Sequence, residues 1–137
     1  MIDNEWKAVL GWDESETEGL RLSGFAFIRE GHYEKALLFF KALVILEALN
    51  VYDLQTLGAL YLQLNDYEKA LRALDKALRL QGNHLPTLIN KTKALFLLNR
   101  LDEAMVLAKF LKTCPDVSIA NDAEALIISY GPNRIPS

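Results

Sequence analysis

The sequence predicts an all-α fold, an array of three helix pairs with a C-terminal capping helix and a short N-terminal helix. Ala36, Ala70 and Ala104 recur at intervals of 34 residues, each inside a similar word, and two of those words are Tyr-Glu-Lys-Ala-Leu. A fixed period of roughly 20 to 50 residues is typical of stacked supersecondary units. The seven glycines and four prolines form no low-complexity linker, so no second domain is expected.

The 34-residue period also sets the expected boundaries. When the first unit begins at Thr17, small residues align at Gly24 and Gly58, and Thr92 occupies the same position in the third unit. A missing side chain at this position lets the two helices of a pair approach closely. The chain then divides into an N-terminal segment or short helix at 1–16, one repeat domain at 17–130 and a tail at 131–137, with units at 17–50, 51–84 and 85–118 and a cap at 119–130.

Two helices are expected in each unit, separated by a tight turn. The turns fall at Gly31, Asn65 and Asn99, which are residue types that tolerate a left-handed backbone. Within this frame the expected helices are 18–30, 33–48, 51–64, 67–81, 85–98 and 101–113.

The capping helix is predicted from an apolar stripe after Pro115. Its members follow helical spacing: Ile119, Ala123, Leu126, Ile127 and Tyr130. A repeat array leaves the hydrophobic face of its last unit uncovered, and a terminal amphipathic helix closes that face.

The composition of the chain indicates where in the cell the protein is expected to reside. Cys114 is the only cysteine, so no intrachain disulfide forms, which fits a reducing cytosol. No apolar run approaches the roughly 18 residues of a spanning helix, and Met1 is followed by no basic leader. We expect a soluble intracellular protein without stable membrane insertion.

The sequence offers no chemistry typical of an enzyme. It contains no phosphate loop, no paired metal-ligand spacing and no nucleophile motif, so no catalytic residue, cofactor or metal is expected. A basic helix face carries Lys69, Arg72, Lys76 and Arg79, but the net charge of −3 and the pI near 5.4 argue against nucleic-acid binding.

The 34-residue period resembles that of tetratricopeptide repeats, and this resemblance implies that the first helix of each pair lines a concave groove. The residues at groove-facing positions are largely apolar: Arg21, Phe25, Ile28, Tyr52, Gln55, Ala59, Leu62, Gln63, Ile89, Lys93 and Phe96. This set favours an extended peptide with apolar anchors over a clamp for a C-terminal carboxylate. The alternative is that these side chains only line a closed superhelix.

A second interface is predicted on the second helix of the first unit. Leu38, Phe39 and Ile45 stand where the second unit has Arg72, Ala73 and Arg79. A contiguous exposed apolar patch is a liability, so we expect it to be covered. The cover is a leading helix that carries Trp6 and Trp12, a second protomer or small co-chaperone anchored by those tryptophans, or a mixture of the two, which we favour.

The units are similar to tetratricopeptide repeats, and Leu22 to Ala70 resembles the bacterial type III secretion chaperones that hold translocator proteins. The matching stretches are Gly24-Phe25-Ala26-Phe27, Gly31 to Ala36, Phe40 to Glu47 and Leu57-Gly58-Ala59. The resemblance implies a cytoplasmic bacterial chaperone that sequesters an export substrate, a secreted translocator or needle-type subunit, bound as an extended segment or a helix. The alternatives are a needle-subunit co-chaperone in a hetero-complex and a general scaffold or adaptor.

Overall fold

The structure of the protein, a computed structural model, describes residues 14–132. Seven α-helices follow one another there: α1 Glu14–Arg29, α2 Tyr33–Leu46, α3 Val51–Gln63, α4 Tyr67–Leu80, α5 Leu85–Leu97, α6 Leu101–Lys112 and α7 Val117–Tyr130. The described residues contain no strand, and the predicted all-α repeat fold is confirmed. None of these helices is both long and apolar enough to span a membrane.

The helix boundaries follow the 34-residue period closely. Five helices begin at the predicted residue, from α2 at Tyr33 to α6 at Leu101. The first helix begins at Glu14, earlier than expected, and the predicted N-terminal helix lies outside the described residues apart from that first turn. The capping helix begins at Val117 because the Asp116 side chain accepts a hydrogen bond from the backbone N–H of Ile119, at 3.2 Å.

The predicted turns are also confirmed. Gly31, Asn65 and Asn99 have φ angles of 78°, 63° and 60°, in the left-handed region. Asn is one of the few residues with a side chain that enters this region readily, which explains its use in the second and third units.

Within each pair the helices pack at a point of close approach. A Cβ on Gly58 would lie 2.6 Å from Leu74 Cγ, so only glycine fits opposite this leucine. In the third unit the sizes are reversed, because Thr92 and Ala108 occupy the equivalent positions and are both fully buried. The total volume at the contact is conserved, which keeps the interior close-packed.

The capping helix covers the last unit. Ile119 and Ala123 of α7 are buried together with Leu111 of α6. Farther along α7, the Tyr130 ring stacks on Phe96 of α5, with 6.1 Å between ring centroids. The first helices of the three pairs, α1, α3 and α5, are called here the inner face, and the second helices, α2, α4 and α6, are called the outer face.

Candidate binding surface of the inner face

The predicted groove residues differ in how far they reach solvent. Tyr52 is open, with 63% of its surface exposed, and Gln63 and Lys93 are exposed too. Six others are partly buried: Arg21, Phe25, Ile28, Gln55, Ala59 and Ile89. Together these nine side chains make an inner face with apolar, amide and cationic groups.

Leu62 and Phe96 do not fit the expected open groove. They are only 8% and 4% exposed, respectively. Leu62 packs with Ala94 of the next unit, and Phe96 lies beneath Tyr130 of the capping helix. The expectation that these two side chains face a ligand is corrected, because their position in the unit points toward the neighbouring helix.

The first unit contributes a partly open apolar surface. Phe25 and Ile28 pack against the core cluster that contains Phe40, and the Phe25 and Phe40 rings meet edge to face at 5.1 Å. Edge-to-face packing fixes the orientation of the Phe25 ring. These residues therefore present a rigid surface to solvent.

Arg21 is tied into the protein by ionic hydrogen bonds. Its guanidinium donates to both carboxylate oxygens of Asp53 at 2.8 and 2.7 Å, and to Glu47 at 3.1 Å and Glu18 at 2.7 Å. The hydrogen bond to Asp53 raises the pKa of Arg21 further above its ordinary value; burial opposes this, and the charges of Asp53 and Glu47 add to it. Arg21 is thus a bridge between α1 and α3 and has little capacity left for a ligand carboxylate.

Asp53 is the polar residue that sequence reasoning missed. It is 1% exposed, although it lies in the first turn of α3, next to the open Tyr52. Its backbone N–H donates to the Asn50 side chain at 2.9 Å, which caps the helix. The sequence signal that could have identified Asp53 is a carboxylate among otherwise apolar helix positions, since a buried charge requires a cationic partner.

Tyr52 is held in place from one side. Its ring meets the His84 ring edge to face, with centroids 5.3 Å apart. His84 is only 8% exposed, and its Nδ1 lies 2.6 Å from the Thr87 hydroxyl. His84 directly precedes α5 and positions Tyr52, the most exposed aromatic of the inner face.

On the outer face, the predicted apolar positions of α2 are largely open. Leu38 and Ile45 are 63% and 69% exposed, whereas Phe39 is half-buried and meets Phe27 edge to face at 5.3 Å. Trp6 and Trp12, the predicted cover, lie outside the described residues.

A similar apolar pair on α6 escaped the sequence reasoning. Val106 and Phe110 are 73% and 63% exposed and stand at the unit positions of Arg72 and Lys76. Within residues 14–132 no three His, Cys, Asp or Glu side chains are grouped closely enough to hold a metal ion.

The sequence and the fold agree with known helical repeats. The family model described as "Tetratricopeptide repeat protein 21 forth ARM domain" matches residues 21–128, and the chain belongs to this family. No curated protein sequence matches the chain significantly.

Solved structures with the same fold include the class suggested by the resemblance. PcrH of Pseudomonas aeruginosa, in complex with the chaperone binding region of PopD, superimposes with a TM-score of 0.76 at 23% identity, over 88% of this chain and 94% of PcrH. The TPR2B domain of yeast Sti1 in its Hsp70 complex gives 0.79 at 16% identity, over 88% and 100%. The Yersinia enterocolitica translocator chaperone SycD gives 0.71 at 18% identity, over 85% and 96%. The chain is thus a tetratricopeptide-type repeat protein with the fold of the type III secretion translocator chaperones.

Proposed function

We propose that the protein is a chaperone or adaptor that holds one segment of a partner protein on its inner face. The observation that carries the proposal is Tyr52, an exposed aromatic ring that meets His84 edge to face. It belongs to a face whose other members include half-buried apolar residues and amides. Aromatic side chains held in this way supply contact area at a low cost in conformational entropy. The proposal assigns no chemical reaction to the chain.

The guest is a segment with spaced apolar anchors. Phe25, Ile28 and Ala59 give shallow apolar contacts, and Gln55 and Gln63 supply amides that pair with the guest backbone. Arg21 is already held by three carboxylates, so recognition of a C-terminal carboxylate through this residue is disfavoured. Side-chain anchors therefore decide specificity.

Several of the similar structures are complexes with a part of a partner protein, which supports the proposed role. PcrH is solved with the chaperone binding regions of PopD and, separately, PopB, and Sti1 TPR2B with an Hsp70 segment. Short segments of partner proteins are thus bound by proteins of this fold. For this chain we favour sequestration of a secreted translocator or needle-type subunit in the bacterial cytoplasm, with release by competition.

The outer face supports a second partner. Leu38 and Ile45 remain exposed on α2, and no described residue covers them. A second copy of the chain or a small co-chaperone bound there would bury them. The same surface would allow a needle-subunit co-chaperone or a scaffold to join two components. The repeat domain that would carry both surfaces spans 17–130.

The inner-face proposal is tested with fluorescently labelled peptides. The first probe is the chaperone binding region of PopD, and the second is a set of polar 15-residue peptides, about the length that spans three units, in which apolar residues are placed at systematically varied spacing. Binding is measured by anisotropy. A Tyr52→Glu substitution should weaken the best binder by about tenfold or more, as expected for a central aromatic anchor.

The matched control is Val106→Glu, which introduces the same charge at an exposed apolar position on the outer face. Its affinity should equal that of the unmodified protein. Equal loss in both variants, or no binding by any peptide of either set at millimolar concentration, would refute the inner-face proposal.

A further inference from the structure

The outer face contains a groove between α2 and α4. Its volume is about 240 Å³, and its apolar walls include Val44 of α2 and Leu54, Leu57 and Tyr61 of α3. The α4 rim adds Ala73 and three cations, Lys69, Arg72 and Lys76. The groove thus combines an apolar floor with a basic edge, a combination that suits an acidic segment with apolar anchors.

Two of the rim cations are unpaired within the part of the chain that the structure describes. Lys69 lies 3.6 Å from Asp66 and 6.0 Å from the centre of the Tyr61 ring. Arg72 and Lys76, by contrast, have no carboxylate of residues 14–132 within ion-pair distance. Their charges are available to an acidic ligand.

The equivalent positions of the next unit hold different residues. Lys91 stands at the position of Leu57 and forms a 2.9 Å ion pair with Asp75 of α4. Val106 and Phe110 replace Arg72 and Lys76 at the rim. A basic rim over an apolar floor is therefore a property of the α2–α4 groove and does not follow from the repeat.

One segment of this chain has the complementary chemistry. Residues 1–13 carry three carboxylates, Asp3, Glu5 and Asp13, against a single lysine. Among them stand the apolar side chains Trp6, Val9, Leu10 and Trp12. Opposite charges steer such a segment to the groove, and buried indole rings dominate the energy of small interfaces.

The groove is within reach of this segment. Arg21 bonds to Asp53, which directly precedes Leu54 in the groove floor, and Glu14 lies only about 10 Å from Arg21 along the helix axis. Thirteen residues extend over as much as roughly 40 Å. The length of the segment is therefore sufficient to pass the end of α2.

We propose that residues 1–13 dock into the α2–α4 groove of the same chain, with tryptophan on the apolar floor and carboxylates on Arg72 and Lys76. In this arrangement the N-terminal segment covers part of the outer face. The inner face stays open for the partner segment, so the two bindings are independent.

Tryptophan fluorescence tests the proposal directly, because Trp6 and Trp12 are the only tryptophans of the chain. In the intact protein the emission should be blue-shifted and protected from acrylamide, a neutral quencher. The double substitution Arg72→Glu and Lys76→Glu should lower the docking equilibrium constant by about tenfold, shift the emission to the red and raise the quenching constant.

The control variant carries the same charge change elsewhere. Arg29 and Lys109 are exposed and line no part of this groove, so Arg29→Glu with Lys109→Glu should leave emission and quenching unchanged. Far-UV circular dichroism verifies that both variants remain helical. Equal quenching in the groove variant and the unmodified chain would overturn the proposal.

A charge swap separates docking from a general change of stability. Asp3→Lys with Glu5→Lys, added to the groove variant, should restore protection of the tryptophans, whereas it should expose them in an otherwise unmodified chain. Protection that rises with protein concentration, together with a doubled mass in light scattering, would assign the groove to the segment of a second copy and refute docking within one chain.

Discussion

The two junctions between repeat units solve the same packing problem with different chemistry. At the first junction Arg21 of α1 binds the buried Asp53 of α3. At the second, the equivalent positions hold Gln55 and Thr87, and the buried Thr87 hydroxyl pairs with His84. An ionic pair between α1 and α3 thus gives way to a hydrogen bond between Thr87 and the preceding His84, and both positions of the pair hold different residues.

The outer positions of these junctions do not change in compensated pairs. Arg72 and Lys76 in one unit become the exposed Val106 and Phe110 in the next, and nothing among the described residues offsets either choice. Inside the stack, the differences between repeat units are explained by contacts within the chain. On the outer face, no contact within residues 14–132 explains the exposed Val106 and Phe110.

The largest effect is expected at the ionic junction. Arg21→Ala leaves Asp53, only 1% exposed, without its cationic partner and should lower the free energy of unfolding by about 3–5 kcal/mol. Urea denaturation followed by circular dichroism measures this change. Arg21→Ala combined with Asp53→Ala should cost clearly less than the sum of the single substitutions; additive losses would show that the pair is not coupled.

A smaller effect is expected at the close approach inside the second unit. Gly58→Ala places a Cβ at 2.6 Å from Leu74 and should destabilise the protein by about 1–3 kcal/mol. Gly19→Ala is the matched control, because it meets no atom within 4 Å and lies within α1. It should stabilise by about 0.5–1 kcal/mol through helix propensity. Thermal unfolding measures the shift in midpoint temperature for each variant, and two shifts of the same sign would contradict this account.

The junction at Thr87 should be less sensitive to substitution than the Arg21–Asp53 junction. Thr87→Val keeps the shape of the buried side chain but removes the partner of His84 Nδ1, and should cost about 1 kcal/mol. A loss as large as that of Arg21→Ala would remove the proposed difference between the two junctions.

The smallest effect concerns the surface ion pair of Arg100 and Glu103 at the start of α6. The hydrogen bond from Arg100, at 2.6 Å, lowers the pKa of Glu103 below its ordinary value, although burial opposes the shift. A lowered folded-state pKa means stability that is present above the unfolded-state pKa and lost as the pH falls through the folded one. Glu103→Gln should therefore be slightly less stable than the unmodified protein at neutral pH and equal to it in acid, as measured by urea titration at each pH.

The helix positions could be predicted from the sequence because each boundary recurs in several repeat units, so an ambiguous boundary in one unit is resolved by the others. The starts of α2 to α6 and the turns at Asn65 and Asn99 follow from the 34-residue ruler together with turn chemistry. The start of α7 was missed because Asp116, its capping residue, precedes the apolar stripe that was used.

The candidate site was less predictable. Motif positions placed Leu62 and Phe96 in the groove, but whether a side chain is open depends on neighbouring helices, and α7 covers Phe96. The Arg21–Asp53 pair joins residues 32 positions apart, and no local pattern indicates which charges meet. Exposed outer-face residues such as Phe110 were likewise visible only once burial was known.

The central claim is that the inner face, and not the outer face, holds a partner segment. It is tested most directly by photo-crosslinking a bound peptide to a benzophenone amino acid placed at one exposed position at a time. The positions are Tyr52 and Gln63 on the inner face and Val106 on the outer face. The account predicts adducts from the two inner positions and none from the outer one; adducts from Val106 alone would contradict it.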